Sequence, residues 1–264
     1  MTVNKVWIGI ATISISLLPT PERQSRGGNS HLIDNQQSIE SPPLAAGVAE
    51  RSPLPPPNDP TTRTISIALN TKTTISLSKV ERSIIGEMNR ARSNPPAYRQ
   101  VLLSWRSRFS GKKAKLSDRL FLITQEGTPA VDEAIQFLQK TRPVSTLKLS
   151  RGLTLAARDL VRDQGVRGLT GHQGSDGSTP FQRMTRYGKW QKIAGENIAY
   201  GPATAQAVVR DLIIDDGVRD RGHRVNMFQP QFRLTGVACG YHRQYRVMCD
   251  IKYAGGYVDR SGIN

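Results

Sequence analysis

The chain has 264 residues, 37% hydrophobic and 22% charged, enough for one large globular domain or two small ones. Its 16 prolines and 23 glycines follow no period, and no apolar run reaches the roughly 18 residues of a spanning helix, which excludes collagen-like chains and helical integral membrane proteins. Two cysteines cannot build a disulfide-dense scaffold or a four-cysteine zinc ribbon, so stability must come from packing. The net charge is +16. Residues 1–78 carry 6 basic and 5 acidic groups, residues 79–150 carry 14 and 6, and residues 151–264 carry 17 and 10. The excess therefore belongs to the part that folds, where it attracts polyanions without choosing among them.

Met1 to Lys5 ends in one positive charge, Val6 to Leu18 is an almost continuously apolar run of 13 residues, and polar sequence follows from Pro19. This charged, apolar, polar order predicts a signal-like segment over residues 1–20 and an exported, extracytoplasmic protein. Residues 21–64 hold Pro42-Pro43, Pro53, Pro55-Pro56-Pro57 and Pro60 among Ser, Asn and Arg. With no sustained periodicity they read as a disordered linker, and the domain is expected over residues 65–264.

Ser78-Lys79-Val80-Glu81 is a capping box, and Val80, Ile84, Ile85 and Met88 behind it share one helical face, so order begins by about Ser78. Residues 97–125 interleave Tyr98, Trp105 and Phe109 with Arg106, Arg108, Lys112, Lys113, Lys115 and Arg119. Such a stretch can lie on an anionic membrane or stack on nucleic acid; the favoured reading is a surface hairpin or helix with its aromatics turned inward. Thr128-Pro129 opens a short helix with Asp132 and Glu133 expected in its first turn. Leu153, Ala156, Ala157, Leu160 and Val161 mark a longer helix, expected to end at Gly165. Thr179-Pro180 starts another, stopped by Gly188, and Ala205 to Ile214 a last one. Strands follow at Leu234–Cys239 and Tyr245–Tyr253 around a polar turn. The fold class is α+β, with helices flanking one small antiparallel sheet.

A turn centred on Arg243-Gln244 pairs positions whose numbers sum to about 487, nearly that of Cys239 and Cys249. A disulfide across the hairpin is expected, its Cβ atoms near the ~3.5–4.5 Å that a bridge requires.

Four segments set ionisable residues among glycines: Gly171-His172-Gln173-Gly174-Ser175-Asp176-Gly177-Ser178, Gly195-Glu196-Asn197-Ile198, Ile214-Asp215-Asp216-Gly217 and Arg221-Gly222-His223-Arg224. Taken in order they resemble the prokaryotic branch of the CAP superfamily, the cysteine-rich secretory, antigen-five and pathogenesis-related proteins with an SCP-like domain. The similarity spans about Ser78 to Tyr257, less an unfamiliar basic insertion at about 97–145. The resemblance implies an α-β-α sandwich with a shallow cleft holding His172, Glu196, Asp215 and His223. Asp215, expected within the helix, stands where the family usually has a glutamate, with Asp216 as an alternative, and Leu212 stands where it has a tryptophan.

Two neutral imidazoles are ligands suited to zinc or another divalent metal, so His172 and His223 are the metal candidates, binding weakly because they are only two. Ser175 and Ser178 lie in no nucleophile-elbow pattern and read as turn residues. The favoured function is an envelope or extracellular binding module whose partner is a lipid, a glycan or a protein. The alternative is a metal-assisted hydrolase with Glu196 as the catalytic general base. Nucleic-acid binding rests on charge alone, with no phosphate loop, zinc-finger spacing or RNA-binding aromatic pattern behind it.

Overall fold

The computed structural model describes residues 4–6, 10–11 and 75–261. The expected linker at 21–64 lies outside the described residues. Helix α1 (Lys79–Ser93) starts at the capping box: Ser78 Oγ accepts from the Glu81 amide while Glu81 returns its carboxylate to the Ser78 amide. Asn94 both ends α1 and caps α2 (Pro95–Arg106), where two prolines occupy positions whose amides would have no helical partner. A meander of β3 (Phe109–Ser110), β4 (Lys113–Ser117) and β5 (Leu120–Ile123) follows, then α3 (Thr128–Lys140).

The main sheet is built from β7 (Gly188–Tyr200), β8 (Leu234–His242) and β9 (Arg246–Asp259), all antiparallel, with β9 in the centre. The short β6 (Lys148–Leu149) runs parallel to β8 at one edge. On one face lie α4 (Arg151–Arg167) and α5 (Pro180–Tyr187), with Leu153, Ala156, Ala157 and Leu160 meeting Ala194, Ile198, Ala238 and Ala254. The contact is close because Gly236 of β8 faces the α4 backbone, where a Cβ would overlap the Leu153 carbonyl carbon. On the other face lie α1, α6 (Ala205–Ile214) and α7 (Gly222–Phe228), with Ile84, Met88, Val208 and Leu212 meeting Ile251 and Tyr253. Burying both faces gives the α-β-α sandwich.

Near the N-terminus, β1 (Asn4–Val6) pairs parallel with β5, and β2 (Ile10–Ala11) pairs antiparallel with Ala199 and Ile198 on the outer edge of β7. Among the described residues no helix is long and apolar enough to cross a membrane.

Several expectations need correction. The described residues form two sheets, because the insertion contributes its own meander. It holds both a helix and strands, and Tyr98 and Trp105 are buried, as the inward reading required. Helix α4 runs past Gly165 to Arg167 and ends at Gly168, whose φ of 72° satisfies the left-handed cap. Asp132 and Glu133 fall beyond the first turn of α3, and pair instead with Arg106 and with Arg221 and Arg224. The disulfide forms as expected: Cys239 and Cys249 are directly opposed across β8 and β9, their Cα atoms 4.1 Å apart.

Candidate functional site

His172 sits in the loop between α4 and α5, which is pinned from both sides. Gln164 of α4 donates to the Gly171 and Gln173 carbonyls, and Arg183 of α5 donates to the His172 carbonyl at 2.7 Å. The ring's Nδ1 meets Glu196 Oε1 of β7 at 2.5 Å. Nearby, Gly174-Ser175-Asp176-Gly177-Ser178 closes as a turn, with Gly174 donating to the Ser178 carbonyl and Ser175 tied to Asp163. Ser175 and Ser178 are thus used structurally.

The other oxygen of Glu196 accepts from Arg183 at 3.1 Å and from Lys252 of β9, and Lys252 also reaches Asp250 at 2.6 Å. Glu196, Arg183, Lys252 and Asp250 are all buried. Burial pushes the Asp250 carboxyl well above the usual carboxylate range and the Lys252 ammonium well below its own, each toward the neutral form that their contact opposes. Sequence reasoning missed these three partners. A signal existed for two of them: Asp250 and Lys252 alternate with Ile251 in an otherwise apolar strand, which places both on one face.

His223 opens α7 and pairs with Asp215, the residue that ends α6. Its Nδ1 lies 2.6 Å from Asp215 Oδ1, while the His223 and Arg224 amides donate to Oδ2 at 2.9 and 3.3 Å. Asp215 lies just past α6, as its left-handed cap with φ of 58°, and not within the helix. Among non-glycine residues Asp and Asn adopt that conformation most readily, which accounts for the shorter acid at this position. Asp216 points elsewhere. Its carboxylate accepts the amides of Gln125, Glu126 and Gly127 and so ties the insertion to the end of α6.

The two acid–imidazole pairs flank β7. Glu196 faces α4 and α5, while its neighbour Asn197 faces the opposite layer and donates to the His223 carbonyl at 2.9 Å. Asn226 of α7 donates to Asn197 and to the Glu196 carbonyl, completing the bridge. All four predicted residues are buried.

Each ring therefore has Nδ1 held by a carboxylate and Nε2 pointing elsewhere, the orientation that outer-shell carboxylates impose on metal-ligating histidines. This donor chemistry fits a divalent ion. Among the described residues no group of three or more His, Cys, Asp or Glu is arranged to hold a metal, so at most two such ligands would come from any one cluster of them.

Comparison with known proteins places these motifs in a family. The protein of Bacillus subtilis (strain 168) described as uncharacterized protein YkwD is 33% identical over 91 residues, and the match covers 34% of this chain and 34% of that protein. Among solved structures, an outer surface protein from Borrelia burgdorferi aligns over 42% of this chain and 78% of its own, with 16% identity and a TM-score of 0.36. An extracellular protein containing a SCP domain from Bacillus anthracis str. Ames aligns over 42% of this chain and 34% of its own, with 21% identity and a TM-score of 0.34. The model of the CAP family, the cysteine-rich secretory protein family, matches residues 86–253. That span is more than half of the chain and contains His172, Glu196, Asp215 and His223, so the protein belongs to the CAP family.

Proposed function

We propose that this protein is an exported CAP-domain protein that acts as an envelope or extracellular binding module, its His172 and His223 rings offering a weak divalent-metal site. The observation that carries the reading is the paired geometry: both Nδ1 atoms lie on buried carboxylates, the arrangement common among metal-ligating histidines. Glu196 is poorly suited to be a general base, because Lys252, Arg183 and His172 already occupy its oxygens. The serines of the His172 loop are bound into its turn, and both cysteines are in the disulfide. This favours binding over hydrolysis. Cleavage of the signal-like segment on export would also remove the strand that pairs with Ala199 and Ile198 on the outer edge of β7.

Zinc titration by calorimetry tests the site. Saturable binding is expected for the native chain and its loss in a His172→Ala, His223→Ala double variant; unchanged binding in the variant overturns the metal reading. Secretion of a fusion carrying residues 1–20 tests export, and retention inside the cell overturns it.

A further inference from the structure

An open groove lined by three arginines lies away from the histidines. A groove of about 730 Å³ runs between the end of α1, α2 and α6, within the range of small-molecule sites. Three arginines from three different elements line it: Arg90 in the last turn of α1, Arg108 just after α2, and Arg210 in α6. No carboxylate lines it.

The arginines are held by aromatic faces. The Arg210 guanidinium carbon lies 3.6 Å from the centre of the Trp105 ring, Arg108 lies 5.6 Å from the same ring, and Arg90 lies 5.1 Å from the Tyr98 ring. Stacking at 3.6 Å fixes the plane of the Arg210 guanidinium, whose Nε and Nη2 turn to Asp211, and Arg90 gives Nη2 to Glu87, so the donors offered to a tetrahedral oxyanion are the Nη1 groups of these two and the fork of Arg108. Asp211 beside Arg210 and Glu87 beside Arg90 offset part of the charge, while Arg108 has no carboxylate partner among the described ion pairs. The remaining wall carries Asn94, Gln100 and Gln206, whose amides both donate and accept and so suit hydroxyl groups.

We infer that this groove is a binding site for a polyol phosphate, with the phosphate on the three arginines and the hydroxyls on the amides. The inference goes beyond the metal-cleft reading and rests on different residues. The phosphate could belong to a free polyol phosphate or to a phospholipid headgroup.

Calorimetric titration of the full chain with glycerol 3-phosphate at low salt tests it, beside co-sedimentation with phosphatidylglycerol vesicles. Saturable binding to at least one probe is expected, weakened about 10-fold or more in an Arg90→Gln, Arg108→Gln variant, both side chains being exposed and outside the core. Lys113→Gln, Lys115→Gln, which removes the same charge from the nearby β4, is expected to change it less than 2-fold. The soluble probe alone identifies a free polyol phosphate, and the vesicles alone a lipid headgroup. No saturable binding to either probe, or an equal loss in the lysine variant, overturns the site. His172→Ala, His223→Ala is expected to leave this binding intact, so failure of the metal reading stays distinguishable from failure of this one.

Discussion

The two acid–imidazole pairs are alike in chemistry and opposite in support. His172 and Glu196 sit in a buried charge network, where Arg183 and Lys252 surround the carboxylate and Asp250 shares the lysine. His223 and Asp215 are held by backbone geometry: the acid ends α6, its carboxylate accepts two amides at the start of α7, and the one arginine it meets, Arg221, bonds its backbone carbonyl and not the carboxylate. The same ring orientation is therefore reached once by electrostatics and once by helix capping. Buried charge depends on every partner being present, whereas a capped turn loses only local bonds.

The largest difference should come from Lys252→Met. Removing the cation leaves two buried carboxylates short of a partner, and a broken buried ion pair typically costs about 3–5 kcal/mol. Urea unfolding should show that loss, and a variant as stable as the native chain would mean that the network is not charged as drawn.

Reducing the disulfide, or replacing Cys239 and Cys249 with serine, should cost about 2–3 kcal/mol, since the loop it closes is short. The effect should appear in both halves of the comparison equally, because β8 and β9 support β7 as a whole. An effect confined to the hairpin in hydrogen exchange would show that β7 holds without it.

Asp215→Asn tests the capped pair. It keeps the left-handed conformation but weakens hydrogen bonds to a charged acceptor, for an expected loss of about 1–3 kcal/mol, less than for Lys252→Met. If the two variants cost the same, the distinction between charge network and cap fails.

The smallest effect concerns pH. The hydrogen bond to Arg221 holds the Glu126 carboxyl below the usual range, and Arg221 lies just before α7. A depressed carboxyl contributes stability above its unfolded value of about 4.5, lost as pH falls through the lower folded one. The protection factors of residues 120–130, with the intrinsic exchange rate divided out, should therefore fall more than those of β7 as pH drops below about 4.5. Equal change in both segments would remove Glu126 from that role.

Much of this molecule was legible in the sequence. Helix starts followed from short-range rules: Ser78 with Glu81, Pro129 after Thr128, and Thr179 before Pro180 mark helix starts as read. The disulfide register followed from a hairpin whose turn sets the pairing of both strands. The histidines and acids were found through ordered motifs, which mark what a chain places at a site without saying how.

Tertiary structure alone decided the rest. Strand β7 was not anticipated, because Gly195-Glu196-Asn197 breaks the apolar alternation, and the strand exists only by pairing with β9, with an irregularity between Gln191 and Ala194. The choice between Asp215 and Asp216 was open because adjacent acids differ in sequence by one position and in space by direction: one turns back onto α7, the other toward the insertion. The charge network and the arginine groove join elements up to 120 residues apart, as from Arg90 to Arg210. Local periodicity carries information over one or two turns of helix; which faces meet is set by the burial of both sides of one sheet, a property of the whole chain.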